Sequence, residues 1–131
     1  MTKTTEPNAA ADHYLAVWNE VDPGARRRAI EGLWAPDGVE FIEGVQFRGH
    51  DELDARVSEA CKAFVESGKY AVTSAGDTTR HDDIVTFTIQ LTPTGADGTG
   101  EIAWAARVFL VLGANGLIRE DYQLTVKPLA A

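Results

Sequence analysis

Cysteine is the scarcest functional residue in this chain, at one in 131, and the only methionine is Met1. One thiol, Cys61, excludes an internal disulfide framework and a cysteine-based metal cluster. Positive charge is also in short supply. Twelve Lys and Arg face twenty Asp and Glu, a net charge of −8, so a phosphate backbone is a poor partner and nucleic acid is not expected. The one basic cluster, Arg26-Arg27-Arg28, reads as the solvated face of a helix. No apolar run reaches the length of a membrane span, and the N-terminus lacks an apolar signal core. The expectation is a cytoplasmic protein without a membrane partner. The three histidines, His13, His50 and His81, are too scattered for a metal site. A Ser-based nucleophile motif is missing, and Gly95, Gly98 and Gly100 precede no helix that could hold a phosphate. No metal and no cofactor is expected.

What is present is enough for one domain over residues 1–131, with residues 1–11 as a flexible lead-in. The clearest stretch is Glu101 to Val126. Ile102 to Leu112 is apolar, Gly113-Ala114-Asn115-Gly116 offers turn chemistry, and Leu117 to Val126 alternates; together they predict a long antiparallel hairpin. Ahead of it, Asp12 to Val21 carries Tyr14, Leu15, Trp18 and Val21 at helical spacing. Asp22-Pro23 caps and opens a second helix running to about Trp34. Pro36-Asp37-Gly38 is a turn, followed by short strands Val39 to Glu43 and Val45 to Arg48. A third helix opens at His50-Asp51-Glu52 and carries Leu53, Val57 and Phe64 to a stop near Gly68. Two further strands follow, Tyr70 to Ala75 and Ile84 to Thr92, separated by a turn at His81-Asp82-Asp83, and Pro93 to Gly100 is a loop. The order implies an α+β fold: three N-terminal helices packed on a curved, mostly antiparallel sheet, enclosing a pocket.

The segments HYLAVWNEVDPGARRRAIEGLWAPDG, FIEG with FRGHDEL, and GLIREDYQL resemble the nuclear-transport-factor-2-like superfamily, in its SnoaL-like polyketide cyclase and ketosteroid isomerase-like branch. The resemblance runs from Asp12 to Val126 and implies a cone-shaped α+β fold. It places Tyr14 where ketosteroid isomerases keep an oxyanion-donating tyrosine. It places Glu43, after a one-residue shift, near their catalytic base, and Asp121 where limonene epoxide hydrolase and the cyclases keep a pocket aspartate. The second acid of the isomerases has no counterpart, because Arg107 is the only ionisable residue from Ile102 to Leu112.

Each candidate has two readings. Asp121 shares a strand face with Arg119, Gln123 and Thr125; it looks into a cavity as an acid or base, or onto a solvated face. Glu43 abstracts a proton beside a carbonyl, or is an exposed turn residue. Tyr14 donates to an oxyanion, as in the ketosteroid isomerase example of this chemistry, or is a core tyrosine. Arg107 pairs with Asp121 inside the cavity, or points outward. Trp18, Trp34, Phe41, Phe64 and Trp104 are core, with a subset lining the pocket as substrate contacts. Together with the resemblance, these residues predict a cofactor-independent acid–base isomerase or cyclase acting on a hydrophobic, polyketide- or steroid-like carbonyl compound. The alternative is a non-catalytic ligand-binding or dimerisation module. The convex sheet face, with Phe109, Val111, Tyr122 and Leu124, predicts a homodimer through the sheet.

Overall fold

The computed structural model describes residues 7–94 and 101–129. Among these, three helices pack on one seven-stranded, open sheet. In chain order the elements are α1 (Pro7–Asn19), α2 (Pro23–Leu33), β1 (Trp34–Ile42), β2 (Val45–Arg48), α3 (Gly49–Ala60), β3 (Tyr70–Ser74), β4 (Thr79–His81), β5 (Ile84–Pro93), β6 (Trp104–Leu112) and β7 (Ile118–Lys127). The sheet order is β2-β1-β7-β6-β5-β3, with β4 paired to β5. All pairings are antiparallel except β1 with β7, which is parallel. The expected long hairpin is β6–β7, and the expected α+β layout holds. No helix among the described residues is long and apolar enough to cross a membrane.

The helices form where apolar residues recur at helical spacing. Ala10, Ala11, Tyr14, Val17 and Trp18 make the buried stripe of α1. That stripe begins before Asp12, so residues 7–11 are helix rather than lead-in. Asn19 ends α1 and ties it to the sheet: its amide accepts from Val72 N and donates to Val72 O, both at 2.8 Å. Asp22 caps α2 by accepting from Ala25 N at 2.8 Å, with Pro23 at the first position. Arg26 is not on a solvated face. It is buried, donating to Glu20 O and Ser58 Oγ, while Arg27 pairs with Glu31, Asp51 and Asp54. Beyond Ala60 the helix widens into a π-turn, Cys61–Val65, with Glu66 N bonded to Cys61 O.

Two local deviations place the functional side chains. Pro36-Asp37-Gly38 does not separate helix from strand. Trp34 already pairs with Ile118, and the turn residues become an irregularity inside β1. Gly38 lies so close to β7 that an added Cβ would meet Ile118 O at 2.9 Å. On β7 the register shifts between Ile118 and Glu120, so Ile118, Asp121 and Gln123 all face inward while Arg119 is exposed. Apart from Glu40 on β1, the rest of the buried inner face is apolar: Val85, Phe87, Ile89 and Leu91 on β5, and Ala106, Val108 and Leu110 on β6. The short strand β4 was not anticipated. Asp82, at φ +53, and Asp83 join it to β5 in a two-residue turn. Residues 95–100 of the expected loop lie outside the described residues.

Candidate functional site

Four fully buried polar side chains meet where β1 and β7 run in parallel beneath α1 and α3. Glu40 and Asp121 are ladder partners across that pairing. Tyr14, Glu40 and Asp121 are 0% exposed and Gln123 is 1% exposed. The Tyr14 hydroxyl donates to Asp121 Oδ2 at 2.7 Å and accepts from Gln123 Nε2 at 2.7 Å. Arg56, from α3, donates through Nε to Glu40 Oε1 at 3.0 Å and through Nη2 to Gln123 Oε1 at 3.4 Å. The Tyr14 ring is fixed by Trp18, Trp34 and Phe87, with ring centres 5.7–5.9 Å away. Two carboxyl oxygens, Asp121 Oδ1 and Glu40 Oε2, are buried without a hydrogen-bond partner among the described residues. Such orphans are rare in a folded protein, because an unmet buried polar atom costs roughly 1–3 kcal/mol.

Burial governs the charge state of this cluster. It raises the Asp121 carboxyl well above the ordinary range, and the neighbouring Glu40 charge raises it further; the Tyr14 hydrogen bond and Arg56 oppose the shift. Glu40 is also raised by burial, but Arg56 opposes this directly. Two adjacent buried carboxylates cannot both ionise without cost. The guanidinium favours the charge on Glu40, and the stronger upward shift favours the neutral form on Asp121. Tyr14 is pushed well above its usual value by burial and by both acids, so its phenol stays protonated.

Above the cluster lies a cavity of about 200 Å³. Its wall is mostly apolar: Trp18, Phe64, Val72, Ile89, Leu91 and Trp104, with Leu129 near its edge. Arg56 and Gln123 are the polar residues that reach it. The Arg56 guanidinium lies between two rings, 5.0 Å from the centre of Trp18 and 5.6 Å from that of Phe47. A shallower outer groove of about 420 Å³ adjoins it, sharing Ile42, Arg56, Trp104 and Leu129.

The structure sorts the expected residues. Tyr14 and Asp121, expected as separate site residues, meet directly. Trp18, Phe64 and Trp104 line the cavity, whereas Trp34 is buried against Tyr14 in the core. Phe41 faces the other side of the sheet, stacked on Tyr122 with ring centres 4.8 Å apart. Arg107 also points outward, to Asp77 at 2.7 Å and Thr88 at 3.1 Å, because Val108 and not Arg107 takes the inward position opposite Gln123. Glu43 is corrected as well. It forms the exposed β1–β2 turn with Gly44, at φ +48, and accepts from Thr125 Oγ1 on the rim of the outer groove. The buried glutamate is Glu40, three residues earlier. It shares its face with Ile42, a cavity residue, and that alternation was its available signal. Arg56 was also missed. It lies three residues after Leu53 and four before Ala60, at the edge of the apolar stripe of α3. No group of three or more metal-ligating side chains occurs among the described residues.

No protein-family model matches the chain. No curated protein matches it either. Solved structures do. A proposed isomerase of the SnoaL-like family from Agrobacterium tumefaciens str. C58 superposes with a TM-score of 0.80 at 23% identity, over 93% of this chain and 98% of that one. A proposed SnoaL-like polyketide cyclase from Jannaschia sp. CCS1 gives 0.67 at 14% identity, over 96% and 91%. A protein of ketosteroid isomerase-like fold from Catenulispora acidiphila DSM 44928, in complex with trimethylamine, gives 0.64 at 20% identity, over 87% and 82%. The chain therefore has the nuclear-transport-factor-2-like cone fold, in the form shared by SnoaL-like and ketosteroid isomerase-like proteins.

Proposed function

We propose that this protein binds a hydrophobic carbonyl compound and moves a proton on it, as a cofactor-independent isomerase or cyclase. The observation that carries this reading is the Tyr14–Asp121–Glu40 cluster: two buried acids of unequal surroundings, each with an unpartnered oxygen, behind the Gln123 side chain that lines an apolar cavity. Glu40, ionised against Arg56, takes a proton from the carbon next to the carbonyl. Asp121 returns one at a second position. Tyr14 donates to Asp121 Oδ2 throughout and steadies the charge that Asp121 gains on losing its proton. In the resting arrangement the Gln123 amide lies between this cluster and the cavity. Rotation of that side chain opens the way to both acids. The proposed substrate role falls to Trp18, Phe64 and Trp104, and Glu43 has no part in the chemistry.

The second reading is a ligand-binding module. It is favoured by one observation: Tyr14, Glu40 and Asp121 do not border the cavity directly. Exchange of α-hydrogens for solvent deuterium, followed by proton NMR on a panel of enolisable ketones, separates the two. Catalysed exchange that falls at least about 100-fold in Glu40→Gln is expected from general acid–base catalysis. No exchange with any ketone would leave the binding module, and equal exchange by the variant would remove the proton-abstracting role from Glu40.

We also propose a homodimer through the outer sheet face. There Phe41, Phe109, Val111 and Tyr122 are half-buried, and Leu124 is 55% exposed.

A further inference from the structure

We infer that Arg56 is the docking point for the carbonyl oxygen of a small, uncharged ligand, and that the part of the ligand buried beside it is no larger than one substituted ring. This rests on the carbonyl reading above and narrows its substrate class from polyketide- or steroid-like compounds to monocyclic ones.

The wall of the cavity carries one unused donor. Arg56 spends Nε on Glu40 and Nη2 on Gln123, and among the described residues nothing accepts from Nη1. A ligand that pairs with this donor must bring an acceptor oxygen. Arg56 is also held in place before any ligand arrives, between Trp18 and Phe47 and against Glu40, so little side-chain freedom is lost on binding.

Charge decides which oxygen. The Arg56 charge is already balanced by Glu40, and the site lies in a chain of net charge −8. A ligand carboxylate would add an uncompensated negative charge beside Glu40, away from water. A neutral carbonyl oxygen accepts from Nη1 and adds none. Volume decides the size. An engineered apolar cavity of about 150 Å³ accommodates benzene, so about 200 Å³ holds a group of about eight non-hydrogen atoms. Anything larger must extend past Trp104 and Leu129 into the outer groove.

The test is equilibrium binding, read by quenching of Trp18 and Trp104 fluorescence, with acetophenone, benzoate and a tetracyclic steroid enone as probes at pH 7.5. Acetophenone is expected to bind at least tenfold more tightly than either of the others. The double variant Arg56→Met with Glu40→Gln, which leaves no buried charge unpaired, should weaken acetophenone at least tenfold. Ala60→Phe, which fills the cavity from α3, should abolish its binding. Preference for benzoate or for the steroid enone, undiminished acetophenone binding in either variant, or no binding of acetophenone by the wild-type protein overturns the inference. Turnover is not read in this assay. A protein that shows this selectivity but no deuterium exchange loses the catalytic reading and keeps the Arg56 subsite; exchange without this selectivity does the reverse.

Discussion

Asp121 and Glu40 are the residues whose physical chemistry matters most, because burial works on both and only one has a cation. The consequence for stability has a definite sign. An acid whose folded pKa lies above its unfolded value binds protons more tightly when folded. The stabilisation is full below the unfolded carboxylate range and is lost as pH rises through the raised folded value. Lowering the pH from 8 to 5 should therefore raise the melting temperature, where a protein stabilised by surface carboxylate pairs would not gain. Asp121→Asn keeps an acceptor for Tyr14 but cannot titrate, so its melting temperature should change less across that range. A steeper dependence in the variant would show that Asp121 is not the group concerned. Asp121 and Tyr14 were legible at this scale because each sits on a strand or helix face with recognisable period. Glu40 was not, because a nearby glutamate beside a turn glycine offered the more conspicuous pattern. Arg56 was not, because a charge at the margin of an apolar stripe looks like any solvated helix residue until its neighbours across space are known.

At the scale of elements, the parallel pairing of β1 with β7 brings the two acids side by side, and it depends on Gly38. A Cβ there would meet Ile118 O at 2.9 Å, Ala35 O at 3.1 Å and Trp34 Cδ1 at 3.1 Å, and two of those atoms are backbone. Gly38→Ala should cost about 1–3 kcal/mol in urea denaturation, as overpacking does, and should weaken ligand binding by shifting Glu40 relative to Asp121. A loss below about 0.5 kcal/mol would show that the strand gives way easily. The hairpin β6–β7, the three helices and the alternation of β5 follow from periodicity and turn residues in the sequence. The pairing of Trp34 with Ile118 does not, since Pro36-Asp37-Gly38 carries every local mark of a turn and only contact with β7 draws it into the sheet.

At the scale of the whole molecule, one side of the sheet is closed by helices and the other is not. The open side carries Phe41 stacked on Tyr122, with Phe109 and Leu124 beside them. If that face is covered by a second copy, sedimentation at micromolar concentration gives about twice the 14.2 kDa mass of the chain, and Leu124→Lys shifts it toward monomer. A monomeric wild-type protein would contradict the dimer and leave the cavity on the opposite face untouched. Arg107 belongs to this open side, with Asp77 and Thr88, which explains how an arginine comes to interrupt an apolar strand. The helices-on-sheet layout was readable from the order of elements, and the cone shape came only with the family resemblance. The size of the cavity was not readable, because it depends on how far Trp18, Phe64 and Trp104 fill the space between α1, α3 and the sheet.

The ionisation state of Asp121 decides whether the buried cluster is built as described. Carbon-13 NMR of the labelled side-chain carboxyl, assigned with Asp121→Asn and titrated from pH 4 to 9, measures it directly. A protonated Asp121 carboxyl at pH 7, beside an ionised Glu40, is the predicted result. An Asp121 signal that titrates in the ordinary carboxylate range, near 4, would contradict it.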